Sequence, residues 1–464
     1  MVFTKKKKLQ IIFFSLIFIG SIFNGSNSNN LIIFNFLSFL FLLLYLLKDK
    51  NNYSLLKIII LNNKIIFISL ILLFIYLFLQ TVSLPFEWLS FFSKNYYLYL
   101  NSIELLNDNS ISLNPRQSLI KIANYITILI ISLITLILFI KKNHFKRFLY
   151  YLTFIGFIHA VVGIYLFLIG NPDFFLKDNI YYKNSSTGFF INRTNYSLFL
   201  VMTFISGIHL IFKKNNFFLI NKNQYLHFEI IYIRIFLLFI SIAIITSFSR
   251  LGNFYLISSM LFYFFYSITK SKKIFNNLTI IFILFILFDF LIMGFYFGGS
   301  KLLDRFYFIN EDLKIDYFNS SIINNTNDLS NTNNNISRLE IIFLGLQYFK
   351  NFYLFGYGLG SFETVFTIFY DNLDNFYADH AHSDLIELLG EIGLVGFIFL
   401  LPLVVFLVKK IILIFKGHQV DKKVIILSLL IILIIDLFFD FSLNIPSNQF
   451  VYFSLLTLVL KKHY

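Results

Sequence analysis

The densest group of titratable side chains in this sequence begins at residue 380, just before a long apolar run. His380 and His382 are separated by one residue, and Glu387 falls on the first turns of the run if it is helical. Two histidines at i and i+2 diverge by about 200° on a helix, and the sequence offers no obvious third and fourth metal ligand. A single imidazole, with an ordinary pKa of about 6.5, suits proton removal from a hydroxyl group. The cluster therefore predicts a histidine general base, with Ser383 or Asp384 as the N-cap of the following helix.

Three arginines border apolar runs and are candidates for binding a phosphate group. Arg250 lies in a short turn between two apolar runs, Arg338 opens an amphipathic segment, and Arg193 precedes another apolar run. A planar guanidinium matches two phosphate oxygens at once. Each arginine also has an alternative reading: snorkelling to lipid headgroups for Arg250, a local pair with Glu340 for Arg338, and interfacial anchoring for Arg193.

Composition identifies the elements that must position these side chains. Of 464 residues, 58% are hydrophobic and 13% are charged, and the mean hydropathy is +0.77. These values exclude tandem soluble domains and disordered chains. With 19 Gly and 5 Pro, long helices are favoured over a tight-turned β-barrel, and the absence of Cys excludes disulfides and thiolate chemistry. The sequence predicts an all-α polytopic integral membrane protein, read as a single transmembrane domain over residues 1–464.

The apolar runs give the number of predicted spans. A bilayer core of roughly 30 Å requires about 20 helical residues, and the sequence offers about 12 transmembrane helices by that measure. They lie near residues 11–24, 31–47, 65–84, 119–140, 148–169, 196–212, 230–248, 251–269, 275–297, 384–408, 424–441 and 447–460. The shorter run 53–61, which contains Lys57, is interpreted as a cytoplasmic connector, with a re-entrant segment as the alternative.

The distribution of basic residues predicts the orientation. With the N-terminus in the cytoplasm, most of the 38 Lys and Arg fall in alternate connections and at both termini, whereas most of the 24 acidic residues do not. Basic residues accumulate on the cytoplasmic side of short loops, so both termini are predicted to be cytoplasmic. The formal net charge of +14 is then a topology signal and an attraction to anionic lipid, and no nucleic acid is required as a partner.

Three predicted outward segments are long: residues 85–118, 170–195 and 298–383. Connections are ordinarily about 4–6 residues long, and much longer loops usually carry function. The third segment is predicted to be one large outward loop, which would be periplasmic in a bacterial inner membrane, and it contains a low-complexity Asn-rich insertion at 324–335 to which no role is assigned.

The arrangement of motifs resembles the O-antigen ligase and polymerase superfamily of polytopic membrane glycan transferases. The motifs that carry the resemblance are Ser249–Arg250 at an outward turn, the Arg338 helix leading to Phe355–Gly360, the run His380–Gly396, and the closing turn Asp440–Asn448. The core of the family corresponds to residues 232–402, and the Arg193 segment and the closing turn extend the likeness.

The resemblance implies a glycan transfer that needs neither a metal nor a nucleotide, and no cofactor. It implies that Arg250 and Arg338 bind the diphosphate of a polyprenyl-linked donor, with Arg193 in the same cavity, and that His382 is the catalytic base. His380 is the second candidate for the base. Where members of the family usually have Asn after this histidine, the present sequence has Ser383.

The functional hypothesis is an inner-membrane glycosyltransferase of lipopolysaccharide or surface polysaccharide biosynthesis. It would move a glycan from undecaprenyl diphosphate, or a similar carrier, to a hydroxyl of lipid A-core on the periplasmic face. A polymerase of the same superfamily, with a growing glycan as acceptor, is the first alternative. A transporter or lipid-linked glycan flippase is the second, with Asp289, Asp436 and Asp440 as intramembrane ion or proton sites.

Overall fold

The computed structural model describes residues 2–105, 107, 109–139, 141–173, 182–218, 224–271, 338–370, 378–417 and 420–461. Outside these residues lie the predicted span 275–297 with Asp289, most of the predicted loop 298–383, and its Asn-rich insertion.

Within the described residues the chain is built almost entirely of helices. They are α1 Val2–Ile22, α2 Asn29–Leu47, α3 Lys50–Asn62, α4 Lys64–Leu79, α5 Phe86–Phe92, α6 Lys94–Ser102, α7 Pro115–Phe139, α8 Lys142–Leu168, α9 Arg193–Phe218, α10 Gln224–Thr246, α11 Arg250–Ser271, α12 Arg338–Asn351, α13 Phe362–Phe369, α14 Asp384–Lys416, α15 Val420–Phe439 and α16 Pro446–Leu460. Two-residue strands, β1 Ser83–Leu84 and β2 Asn109–Ser110, pair antiparallel. Short 3₁₀ turns lie at Asn24–Ser26 and Ser442–Asn444.

The helices agree with a polytopic membrane protein. Every predicted span that falls on described residues coincides with a helix, within a few residues at most ends. Seven of these helices are long and apolar enough to cross a membrane, and α3 with α4 forms one further pair that is bent by 88°. The total of twelve spans stays a prediction. The run 53–61 is part of helix α3, which the bend turns away from the α4 axis.

Helix α9 forms the centre of the bundle. It is buried along its whole apolar stretch and packs against α8, α10, α11 and α16. Several of its hydroxyl groups bond to their own helix, as Thr203 Oγ1 does to the Leu200 carbonyl at 2.7 Å. A Cβ at Gly156 of α8 would lie 2.0 Å from Thr203 Oγ1. Small residues at such crossings let helices approach closely, which explains why α9 faces protein on all sides.

Helix α14 is broken where an uninterrupted span is predicted. Gly393 has φ +63° and ψ −179°, so the helix stops and restarts at this residue. The loop before α13 fills the break: Leu394 N donates to the Tyr353 carbonyl at 2.8 Å, and Val395 N donates to the Leu354 carbonyl at 3.1 Å. The helix also continues to Lys416 rather than ending near 408.

Side chains at the end of α4 and at its C-cap satisfy the carbonyls at this break. Tyr76 Oη donates to the Phe355 and Ile392 carbonyls at 2.7 and 3.1 Å. Gln80 Nε2 donates to the Phe355 carbonyl at 2.6 Å. Irregular backbone at membrane depth is tolerated only where protein groups satisfy its polar atoms. The first turns of α14, with the titratable cluster, are therefore held as a short helix separate from the long apolar segment after Gly393.

Candidate active site

The loop before α14 presents both histidines at one end of the bundle. Ser383 is the N-cap of α14, because its Oγ accepts a hydrogen bond from Ile386 N at 3.4 Å, which confirms one of the two predicted caps. The same Oγ donates to the Leu437 carbonyl at 2.7 Å and ties the start of α14 to the end of α15. His382 has φ +52°, a left-handed conformation that a non-glycine residue adopts rarely.

Glu387 lies at the centre of the polar contacts. Its carboxylate is buried, with an exposed fraction of 3%. His380 Nδ1 lies 3.0 Å from Oε1 and 3.2 Å from Oε2, and Ala381 N donates to Oε2 at 2.9 Å. Asn444 Nδ2 donates to Oε1 at 3.1 Å. One carboxylate thus holds the side chain of His380, the next peptide of the loop, and the closing turn after α15.

The closing turn extends these contacts to α7. Lys121 Nζ donates to Asn444 Oδ1 at 2.9 Å, so the amide of Asn444 bridges an ammonium and a carboxylate. Phe441 packs on both imidazoles: its ring stacks on His380 at 4.6 Å between centroids and meets His382 edge-on at 5.1 Å. The two imidazoles therefore share one aromatic wall.

Opposing effects set the pKa of His380. Burial lowers it, but the charge of Glu387 and the hydrogen bond to its carboxylate raise it further, so the pKa of His380 lies above its ordinary value. The positive charge of Lys121 opposes this rise, and the negative charge of Asp379 adds to it. His380 consequently carries a proton to a higher pH than an isolated histidine does.

Arg338 begins α12, which packs on the histidine loop, residues 379–383. A Cβ at Gly345 of α12 would lie 3.0 Å from Ile386 and 3.4 Å from the Cβ of Ala381. Asp440, just after α15, is buried, and Ser442 Oγ donates to its Oδ2 at 2.5 Å. The packing of α12 thus places Arg338 on an element that touches the histidine loop.

Arg193 and Arg250 occupy the first positions of two neighbouring helices, α9 and α11. The helices touch one turn inside, since a Cβ at Gly252 would lie 2.2 Å from Ser197 Oγ. The Arg193 guanidinium lies over the ring of Tyr182, 5.2 Å from its centroid.

The closing turn also reaches α9, and α15 reaches α11. Asn448 Nδ2 donates to the Asn195 carbonyl of α9 at 3.1 Å, and Tyr255 of α11 donates to Asp436 at 3.3 Å. The starts of α9 and α11 therefore lie at the same end of the bundle as the histidine loop.

Sequence reasoning missed Lys121, and it quoted Phe441 and Asn444 without giving them a role. Lys121 falls inside the predicted span 119–140, and an ionisable residue in a span is a functional candidate by default. That rule could have found Lys121. Asn444 and Phe441 carry no such signal, because only the folded chain brings them against the histidines.

The described side chains form no candidate metal site. No group of three or more His, Asp or Glu residues in this part of the chain could hold a metal ion. That the reaction proceeds without a metal stays a prediction.

Comparison with known families identifies the central part of the chain. Residues 235–401 match the family described as O-Antigen ligase. The matched stretch begins within α10 and ends within α14, so it contains Arg250, Arg338 and both histidines, whereas Arg193 and the closing turn lie outside it. A search of curated proteins found no match for this chain.

Proposed function

Because this chain belongs, through residues 235–401, to the O-antigen ligase superfamily, we propose that it is a membrane glycosyltransferase of the ligase type. It transfers a glycan from a polyprenyl diphosphate carrier to a hydroxyl of lipid A-core. The reaction takes place on the periplasmic face of a bacterial inner membrane that about 12 helices cross, with both termini cytoplasmic.

The observation that carries this proposal is the setting of the two histidines. Their imidazoles pack on Phe441 beside the buried carboxylate of Glu387, at the end of the bundle where α9, α11 and α12 each begin with an arginine. A general base beside cationic helix starts is the combination that transfer from a diphosphate requires.

The proposed reaction exchanges one bond at the anomeric carbon. The acceptor oxygen forms a bond to that carbon while the bond to the diphosphate oxygen breaks, and the bonding electrons leave with the diphosphate. Negative charge grows on the leaving group, so fixed guanidiniums of Arg250, Arg338 and Arg193 stabilise the transition state more than the ground state. The proton of the acceptor hydroxyl passes to an imidazole.

His382 is the proposed base, in the position that the resemblance assigns to it, and His380 is the second candidate. His380 uses Nδ1 for the contact with Glu387, at 3.0 Å. It would therefore accept a proton through Nε2.

Contacts between the predicted outward segments support the proposed orientation. Leu113 N donates to the Tyr357 carbonyl at 3.0 Å, and Ser118 Oγ donates to the Leu359 carbonyl at 2.7 Å. Residues from the segments 85–118 and 298–383 thus meet at the same end of α7 as Lys121. In the proposed topology this end faces the periplasm.

The test is the glycan profile of cells that lack the protein, complemented with wild type or His382→Ala at matched membrane abundance. Full-length polymer retained on the lipid carrier, with bare acceptor, is the expected result for both the null strain and the variant. Acceptor carrying single repeat units would instead identify a polymerase. Full rescue by His382→Ala would refute the catalytic assignment and favour a transporter.

The arginine roles have a matched control. Arg→Lys keeps the charge but loses the planar fork, so Arg250→Lys and Arg338→Lys should both reduce transfer. Arg116 is exposed at the start of α7, at the same end of the bundle, so Arg116→Lys makes the same chemical change there. We expect Arg116→Lys to transfer at the wild-type rate; an equal loss in all three variants would contradict specific diphosphate binding.

A further inference from the structure

The carboxylate of Glu387 holds the histidine loop from two directions. His380 Nδ1 contacts it from the side chain at 3.0 Å, and Ala381 N contacts it from the backbone at 2.9 Å. The next residue is His382, with its left-handed φ of +52°. Any movement of Glu387 would therefore move the ring of His380 and the peptide that aims His382.

Two residues from other elements keep Glu387 in its place. Asn444 donates to its Oε1 at 3.1 Å and accepts from Lys121 Nζ at 2.9 Å. The aliphatic stem of Lys121 lies against the turn 356–360 before α13, since a Cβ at Gly360 would come within 2.6 Å of its Cγ. Lys121 is thereby directed at the closing turn, and its charge favours the ionised carboxylate.

We propose that Glu387, supported by Asn444 and Lys121, is the positioning residue of this site, which fixes the histidine loop so that an imidazole meets the acceptor hydroxyl. This inference rests on the proposed transfer reaction and assigns it three further residues. Glu387 does not touch the reacting atoms; it acts through His380 and Ala381.

The physical basis is the sensitivity of proton transfer to geometry. A misplacement of about 1 Å in a reacting group can reduce a rate by about 100-fold. A loop of irregular backbone with a left-handed residue has no helical hydrogen bonds to hold it, so side-chain contacts must do so. Among the described contacts, those from Glu387 reach both residues that precede His382.

The charges around His380 predict opposite pH effects for two substitutions. Glu387 on α14 and Asp379 on the loop favour the imidazolium, and Lys121 on α7 disfavours it. Asp440, just after α15, also interacts with the charge of His380. Burial lowers the pKa of His380, and Glu387→Gln removes the negative charge that opposes this effect, so the pKa of His380 should fall. Lys121→Met removes a repulsion, so that pKa should rise.

The experiment uses the purified full-length protein and membrane vesicles that contain the cell's own lipid-linked glycan. Modification of His380 by diethyl pyrocarbonate, which reacts with the neutral imidazole, is followed against pH by peptide mass spectrometry. Wild type should show a midpoint above about 6.5. Glu387→Gln should shift the midpoint downward and reduce transfer by about 10- to 100-fold.

Matched variants separate positioning from simple damage. Glu87 is an exposed glutamate of α5, and Glu87→Gln should change neither the midpoint nor the rate. Lys121→Met should shift the midpoint upward and reduce transfer, whereas Lys121→Arg, which keeps the cation, should retain both wild-type values. If Glu387→Gln does not reach the membrane, the two Lys121 variants test whether the contacts around Glu387 position the histidine loop.

The outcomes distinguish this inference from the proposed function. Transfer that survives His382→Ala would overturn the proposed function. Loss of transfer in His382→Ala together with a wild-type rate in Glu387→Gln would overturn the positioning role alone. A reduced rate in Glu387→Gln with an unchanged His380 midpoint would also overturn it, because Glu387 would then support the fold without setting the imidazole.

Discussion

The break in α14 gives a sharp prediction about Gly393. Its φ of +63° with ψ of −179° is open to glycine and closed in practice to residues with a Cβ. A Cβ built there would lie 2.4 Å from the Leu354 carbonyl oxygen and 2.5 Å from Gly356 N. Both neighbours are backbone atoms, so Gly393→Ala forces either the helix or the loop to move.

The expected cost has two parts. The backbone conformation alone costs an alanine about 1–3 kcal/mol. Displacing the loop also breaks the two hydrogen bonds from Leu394 N and Val395 N, each of which contributes about 0.5–1.5 kcal/mol. The sum is about 2–6 kcal/mol, which exceeds the effect of most single substitutions.

Gly170 supplies the matched control. Its φ is +85°, but a Cβ at this position would meet no atom within 4 Å. Gly170→Ala therefore carries backbone strain of about 1–2 kcal/mol without crowding.

The measurement is the apparent thermal unfolding midpoint of the detergent-purified protein, recorded for both variants at one scan rate. Gly393→Ala should lower the midpoint at least twice as far as Gly170→Ala, and it should reduce glycan transfer because the break holds the first turns of α14. Equal midpoints for the two variants would refute the interlocked-backbone reasoning.

Three further substitutions test contacts that hold the site. Ser383→Ala removes the N-cap of α14 and the bond to the Leu437 carbonyl, so it should cost about 1–2 kcal/mol, seen as a lower unfolding midpoint with reduced transfer. Tyr76→Phe leaves the Ile392 carbonyl without its hydroxyl donor, while the Phe355 carbonyl keeps the bond from Gln80, and it should cost about 1–3 kcal/mol, measured in the same melt; an unchanged midpoint would contradict the assigned bonds. Gly252→Ala should separate α11 from α9 at Ser197 and lower both stability and transfer, and Gly252→Ala combined with Ser197→Gly should restore part of each.

The closing turn after α15 connects the parts of the site. Asn444 contacts Glu387 and Lys121, while Asn448 contacts α9 and the Ser442 carbonyl. These amides reach elements far apart in sequence. The closing turn, between α15 and α16, thus connects the histidine loop with the start of α9, which carries Arg193.

The sequence by itself determined the membrane character and the position of each long apolar helix that the structure describes. Apolar runs must form helices in a bilayer, because the backbone has no water to satisfy its polar groups. The same reasoning identified His380, His382, Arg250, Arg338 and Arg193, since polar side chains beside apolar runs are conspicuous.

Tertiary structure alone decided which of these residues meet. The contact of Glu387 with Asn444 joins positions 57 residues apart, and that of Lys121 with Asn444 joins positions 323 residues apart. Periodicity cannot reveal such pairs, because they depend on how the helices pack. The break at Gly393 was hidden for a similar reason: a glycine within an apolar run is compatible with a continuous helix, and only the loop 353–358, packed against it, supplies the hydrogen bonds that stabilise the interruption.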